Sequence, residues 1–226
     1  MKVYDNFKLW QHFGTLIFLK NHTQCALWHL KKVTELKIMA DNATQQKGAG
    51  MSKPIVMIGL MGAGKSRIGR DLAVKLGLPF VDADDEIVKA AGCSVSDIFD
   101  LYGEKAFRDV EERVISRLLN DDVQIIATGG GAFMNANIRK AISKHGVSIW
   151  LKAELDVLVE RTSRRSGRPL LDNGDPAEIL KGLMDERYPV YSEADIVVDS
   201  QDVPIGTTVD ATAHALAAYI DTQPGN

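Results

Sequence analysis

P-I-V-M-I-G-L-M-G-A-G-K-S-R-I-G-R, residues 54–70, is the stretch that decides the fold. Residues 55–58 are apolar and partly β-branched, the mark of a short buried strand. Gly59, Gly64, Lys65 and Ser66 then match G-x-x-x-x-G-K-[ST], and a helix-compatible run over 65–76 ends at Gly77. Strand, glycine loop and helix form the context in which this pattern cradles phosphates. The glycines let backbone N–H groups converge on phosphate oxygens, and the helix N-terminus adds partial positive charge. Lys65 is expected to reach the β- and γ-phosphates, and Ser66 to ligate Mg²⁺. A glycine-rich turn with a chance lysine is the rival explanation, and it leaves the agreement of pattern and context unaccounted for.

From Met51 onward the chain alternates β and α signals. Strands are expected at 78–82, 123–127, 147–151 and 196–198. Helices are expected at 84–91, 94–101, 104–119, 135–145, 154–164, 176–187 and 209–220. Five short strands separated by helices predict a parallel sheet with helices on both faces. Residues 166–175, S-G-R-P-L-L-D-N-G-D, read as a turn-rich loop.

The first fifty residues differ from the rest. They hold two of the three Trp and three of the five His, with no Arg and no Pro. Their seven Lys against three acids give +4, which leaves −7 for residues 51–226. Residues 41–50 read as a linker, and Met51 stands three residues before the first strand. The reading adopted is that residues 1–50 lie outside the functional domain, with Met51 as the natural start. The alternative is a short helical arm over 33–39 used for association. An acidic domain argues against nucleic acid as partner. No apolar run has the length to span a bilayer. Two cysteines, Cys25 and Cys93, offer neither a disulfide framework nor a CxxC metal pair, so a reduced, cytoplasmic compartment is expected.

The chemistry beyond the loop rests on carboxylates, glycines and arginines. In an open parallel sheet, ligands sit outside the carboxyl ends of the strands. Asp82 and Asp84, at the end of the second strand, project towards the phosphate loop if that strand lies beside the first. One carboxylate there can hold Mg²⁺ or its waters, and a second can orient or deprotonate an acceptor hydroxyl. Asp85 and Glu86 suit the acidic first turn of a helix. Thr128-Gly129-Gly130-Gly131 follows the third strand with no acid, so metal binding falls to Ser66 and Asp82. Three consecutive glycines are costly to order and fit a backbone that must be approached closely. Arg108, Arg161, Arg168 and Arg187 stand at candidate anion-binding positions, since the planar guanidinium suits carboxylate and phosphate. Arg70, Arg113, Arg117 and Arg139 read as surface or ion-pair residues.

Taken in order, these segments resemble shikimate kinase. The resemblance rests on Gly59 to Ser66, the Asp82/Asp84 pair, S-V-S-D-I-F-x-x-x-G-E-x-x-F-R-x-x-E over 94–111, the triple glycine, R-P-L-L from Arg168, and E-R-Y from Glu186. It covers residues 51–226 and none of 1–50. It implies an α/β, three-layer P-loop NTPase fold of the nucleoside-monophosphate-kinase type, with a five-stranded parallel sheet in the order 2-3-1-4-5. It implies transfer of the ATP γ-phosphate to the 3-hydroxyl of shikimate, with Mg²⁺, by a monomer. Carried over, Gly62, Ala63, Gly64, Lys65, Ser66 and Arg67 wrap the ATP phosphates, with Arg161 near the adenine. Ser66 and Asp82 serve the metal. Asp84 binds the shikimate hydroxyls and is the candidate base. Arg108 and Arg187 hold the carboxylate, Gly130 and Gly131 offer backbone, and Arg168 closes from a lid over 162–175. Arg67 stands where Thr is usual, so only its backbone is expected to act. The nearest rival is another small-metabolite kinase such as gluconate kinase. A non-catalytic nucleotide-binding regulator is disfavoured by intact Lys65, Ser66, Asp82, Asp84 and Arg168.

Overall fold

The computed structural model describes residues 51–163 and 174–223. The first strand, β1 (Ile55–Ile58), is buried along its whole length. Such a run suits only the middle of a parallel sheet covered on both faces. The sheet order is β2-β3-β1-β4-β5, with β2 at Phe80–Asp82, β3 at Ile125–Ala127, β4 at Val147–Lys152 and β5 at Ile196–Asp199. All four pairings are parallel.

Helices supply the outer layers. They are α1 (Lys65–Leu76), α2 (Ala83–Ala91), α3 (Val95–Leu118), α4 (Ala136–His145), α5 (Leu155–Ser163), α6 (Pro176–Tyr191) and α7 (Ile205–Thr222). Helix α1 packs on α7 and β3, while α4 packs on α3 and β4. Ile55, Met57, Ile58, Ile68, Leu72, Ile115, Ile125, Ile126 and Ile138 are fully buried between these layers. Each such side chain contributes roughly 1.5–3 kcal/mol by leaving water. Among the described residues no helix is long and apolar enough to cross a membrane.

Local chemistry explains the boundaries. Gly77 and Gly92 close α1 and α2 in the left-handed conformation, at φ 68° and 72°. Ser94 caps α3 through a reciprocal box with Asp97, and Asn135 and Asp175 cap α4 and α6. Gly103, at φ 80° and ψ 171°, breaks α3 into the two helices that the sequence predicts at 94–101 and 104–119.

Strand β3 lies between β2 and β1, in the order that the family resemblance implies. The side-by-side condition set for Asp82 and Asp84 is therefore not met, and they reach the phosphate loop across the end of β3 instead. Two details depart from expectation. Helix α6 runs past Arg187 to Tyr191 although Pro189 lies inside it. A proline inside a helix forgoes one backbone bond. A 3₁₀ turn at Ala132–Met134, unforeseen in the sequence, follows the glycine run. The arm at 33–39 lies outside the described residues.

Candidate active site

The site is built at the carboxyl ends of β1, β2 and β3. Gly59, Gly62 and Gly64 hold φ of 144°, 86° and 96°. A side chain at Gly59 would also meet the Leu151 carbonyl oxygen at 2.7 Å. The loop is thus shaped by glycine and wedged against β4. Helix α1 begins at Gly64 with no side-chain cap and no acid in its first turn. Its leading N–H groups and its dipole are left for an external anion. Lys65 Nζ folds back onto the carbonyls of Gly59 at 2.8 Å and Leu60 at 3.0 Å. Ala63 is buried. Arg67 turns outward and pairs with Asp71 at 3.0 Å.

Arg161, on α5, spans from the phosphate loop to the turn after β5. Its guanidinium donates to Ser200 Oγ at 2.9 Å, to the Gln201 carbonyl at 2.6 Å and to the Gly62 carbonyl at 3.4 Å. Ser200 Oγ in turn donates to the Ala63 carbonyl at 2.9 Å. Arg168 and most of the expected lid, residues 164–173, lie outside the described residues.

Ser66 Oγ donates to Asp82 Oδ2 at 2.7 Å. The other oxygen of Asp82 accepts from the Asp84 N–H at 3.1 Å and caps α2. The Asp84 side chain opens onto the cleft, yet protein atoms crowd around it. That crowding, followed by the Asp82 charge, pushes its pKa up, while Lys65 and Arg108 pull it down.

Across the cleft stands the glycine run. Thr128 is fixed by Met57, whose carbonyl accepts both its Oγ at 3.0 Å and its N–H at 3.3 Å. None of Gly129, Gly130 or Gly131 has a positive φ. Their smallness serves close approach. A Cβ on Gly129 would stand 3.1 Å from Asp84 Oδ1 and 3.2 Å from Glu111 Oε1. On Gly131 it would stand 2.7 Å from both terminal nitrogens of Arg108. On Gly130 it would stand 3.6 Å from Arg187 Nη1 and 3.6 Å from the Gly59 carbonyl oxygen. Asp84, Arg108, Gly130, Gly131 and Arg187 therefore meet beside the phosphate loop, although 103 positions separate the first from the last.

Glu111 belongs to this group and carries no expected role from the sequence. It is buried, and its Oε2 accepts from Arg108 Nη1 at 2.8 Å. Burial pushes its pKa up against the pull of Arg108. Its signal is the i, i+3 spacing from Arg108 on one helix face. Tyr191, four residues beyond Arg187, is a second unforeseen member. Its hydroxyl donates to the Gly130 carbonyl. Among the described residues, three buried side-chain polar atoms have no hydrogen-bond partner, and two of them are Glu111 Oε1 and Arg187 Nε. Such atoms call for an explanation in a folded chain, and a polar ligand supplies one.

The chain and its fold are similar to those of known proteins. A family model described as shikimate kinase matches residues 61–217. A shikimate kinase of Rhodopseudomonas palustris is 51% identical over 172 residues, covering 76% of this chain and 85% of its own. One of Brucella canis is 48% identical over 192 residues, covering 85% and 94%. Among solved structures, a shikimate kinase of Acinetobacter baumannii in complex with shikimate superposes with a TM-score of 0.70 at 32% identity, over 79% of this chain and 99% of that one. One of Aquifex aeolicus gives 0.65 at 34%, over 73% and 96%. Agreement over nearly the whole length of these relatives leaves a single conclusion: the chain belongs to the shikimate kinase family.

Proposed function

We propose that this chain transfers the γ-phosphate of ATP to the 3-hydroxyl of shikimate, giving shikimate 3-phosphate and ADP, with the residues described above in defined roles. The observation that carries the reading is the convergence of Arg108, Arg187 and Asp84 on the glycine run, directly beside the phosphate loop. A small acid with several hydroxyls needs a guanidinium for its carboxylate, a carboxylate for its hydroxyls and backbone close to its ring. All three are within reach of a γ-phosphate held by the loop.

In this reading the N–H groups from Gly62 to Arg67 cradle the phosphates, and Lys65 leaves its carbonyl partners to meet them. Arg161 flanks the adenine side. Arg108 and Arg187 hold the carboxylate, and the Gly130 and Gly131 backbone borders the ring. Asp84 accepts a hydrogen bond from the attacking hydroxyl and orients it, and takes its proton as the new O–P bond forms. Arg168 closes onto the phosphates and balances charge in the transition state, in a lid that excludes water. Magnesium suits the Ser66–Asp82 couple. Hydroxyl and carboxylate are the hard oxygen donors it prefers, and a kinase site needs only one or two of them beside the phosphates. Bound there, the ion would neutralise phosphate charge.

Residues 51–226 carry the activity in this proposal, as a cytoplasmic monomer. Size-exclusion mass and localisation of a tagged chain check the last two points. The central test is coupled ADP release with ATP-Mg²⁺ and shikimate, gluconate or no acceptor. Turnover is expected with shikimate alone. Arg108→Ala and Arg187→Ala should each lower kcat/KM for shikimate by about 2–4 kcal/mol, the range for an orphaned charge partner. Unchanged shikimate kinetics in both variants would overturn the carboxylate assignment.

A further inference from the structure

Tyr191 is among the largest side chains with no solvent exposure, and it is the last residue of α6. Its ring stands among Phe133, Trp150 and Tyr188, with centroids 6.4, 5.9 and 6.1 Å away. Its hydroxyl donates to the Gly130 carbonyl, inside the glycine run. The Arg187 guanidinium, one helical turn back, stands against the same peptide: a Cβ on Gly130 would lie 3.6 Å from its Nη1. Against the burial that raises the phenol pKa, its charge pulls that pKa down. The phenol therefore anchors a peptide that borders the Arg187 guanidinium.

We propose that Tyr191 is a positioning residue for the acceptor half of the site. It sets the plane of the Gly130–Gly131 peptide, against which the Arg187 guanidinium stands. The peptide bond is planar and trans, so its C=O and N–H point in opposite directions. Anchoring the Gly130 carbonyl on Tyr191 turns the Gly131 N–H away from the aromatic cluster. The Arg187 guanidinium, whose buried Nε has no partner, stays available for an anion. Burial pushes the phenol pKa up to about 12, so the hydroxyl keeps its proton and remains a donor at any working pH. Tyr188 offers an internal contrast. It lies on the same helix and against the same Trp150, but its hydroxyl donates to the Ala153 carbonyl, away from the glycine run.

The inference rests on the reading of Arg187 and Gly130 as shikimate-binding groups, so Arg187→Ala is measured beside it. Tyr191→Phe removes one oxygen and keeps the ring. It should raise the KM for shikimate about 10-fold, with the KM for ATP unchanged, because only the acceptor half loses its aim. Tyr188→Phe should keep the shikimate KM within about twofold of the parent. The double variant of Arg187→Ala and Tyr191→Phe should lose less than the two single losses combined, since both act on one network. If Tyr191→Phe leaves the shikimate KM unchanged while Arg187→Ala raises it, the positioning role falls and the site reading survives. If Arg187→Ala is also silent, both fall. A parallel rise of both KM values, or an equal effect from Tyr188→Phe, would mark mere loosening of the aromatic cluster and overturn the inference.

Discussion

Ser66 donates to Asp82 at 2.7 Å, and the two residues sit on segments separated by the whole width of β3. The first lies at the head of α1 and the second at the end of β2. Their contact joins the donor loop to the acceptor side. Asp82→Asn should raise the Mg²⁺ concentration needed for half-maximal activity and cost about 10–100-fold in kcat/KM at limiting Mg²⁺, as for other supports of a metal site. An amide keeps an oxygen for the Asp84 N–H, so the cap on α2 and the Tm should change little. Titration of activity with Mg²⁺, alongside thermal melting, separates the two effects.

Gly131 and Gly59 should respond differently to alanine. At Gly131 the new methyl meets the mobile end of Arg108 at 2.7 Å. The guanidinium moves and the fold survives. A displacement of this order at a positioning group costs about 100-fold, and it should fall on kcat/KM for shikimate with the KM for ATP unchanged. At Gly59 the methyl meets a backbone oxygen and the φ of 144° is hostile to any side chain. Gly59→Ala should destabilise the chain by about 2 kcal/mol or more. Steady-state kinetics for the first and chemical denaturation for the second test the contrast.

The loop from β1 to α1 is readable to the residue, because the apolar run, the glycines and the closing Gly77 all agree there. The break at Gly103 was readable as two helices for the same reason. Glu111 was not assigned a role, since a glutamate on a helix face looks like any solvated acid until burial is known. Tyr191 was missed because Pro189 argues for an earlier helix end. The meeting of Asp82 with Ser66 across β3 is legible through the strand order that the family resemblance implies, and not from local sequence alone, because strand order is a long-range property.

In the proposed mechanism, Asp84 links pH to both activity and stability. Its carboxylate form is the one that accepts a proton, and its pKa is raised by crowding and by Asp82. The acid limb of kcat/KM should therefore stand above the usual carboxylate range, with activity lost as pH falls through it. The sign for stability is opposite. A raised pKa means that the folded chain binds the proton more readily than the unfolded one, so this group favours folding at low pH and loses that contribution as pH rises through the folded value. Asp84→Asn should abolish most turnover, keep ATP binding, and melt at or above the parent at neutral pH. The difference in Tm should vanish under acid conditions. Melting curves across pH check it.

Gly182 sits inside α6 on an exposed face, and a methyl there would meet nothing within 4 Å. Its φ lies outside the positive range. Gly182→Ala should stabilise the chain by about 0.5–1 kcal/mol, which raises Tm by roughly 1–4 °C for a domain of this size. Kinetic constants should stay at parental values.

Residues 51–226 should suffice for catalysis. A chain beginning at Met51 is expected to match the full chain in kcat, in both KM values and in Tm. A loss of activity or melting temperature on deletion would assign residues 1–50 to the working domain.

Strand β3 ends in Ala127, and its neighbours in register are Met57 on one side and Asp82 on the other. It works as a spacer gauge between two chemical partners. The distance between the end of β2 and the phosphate loop after β1 is set by the width of one strand. Mutations that swell the tip of β3 would thus be felt as a change in the distance between donor and acceptor, even where neither loses a contact of its own.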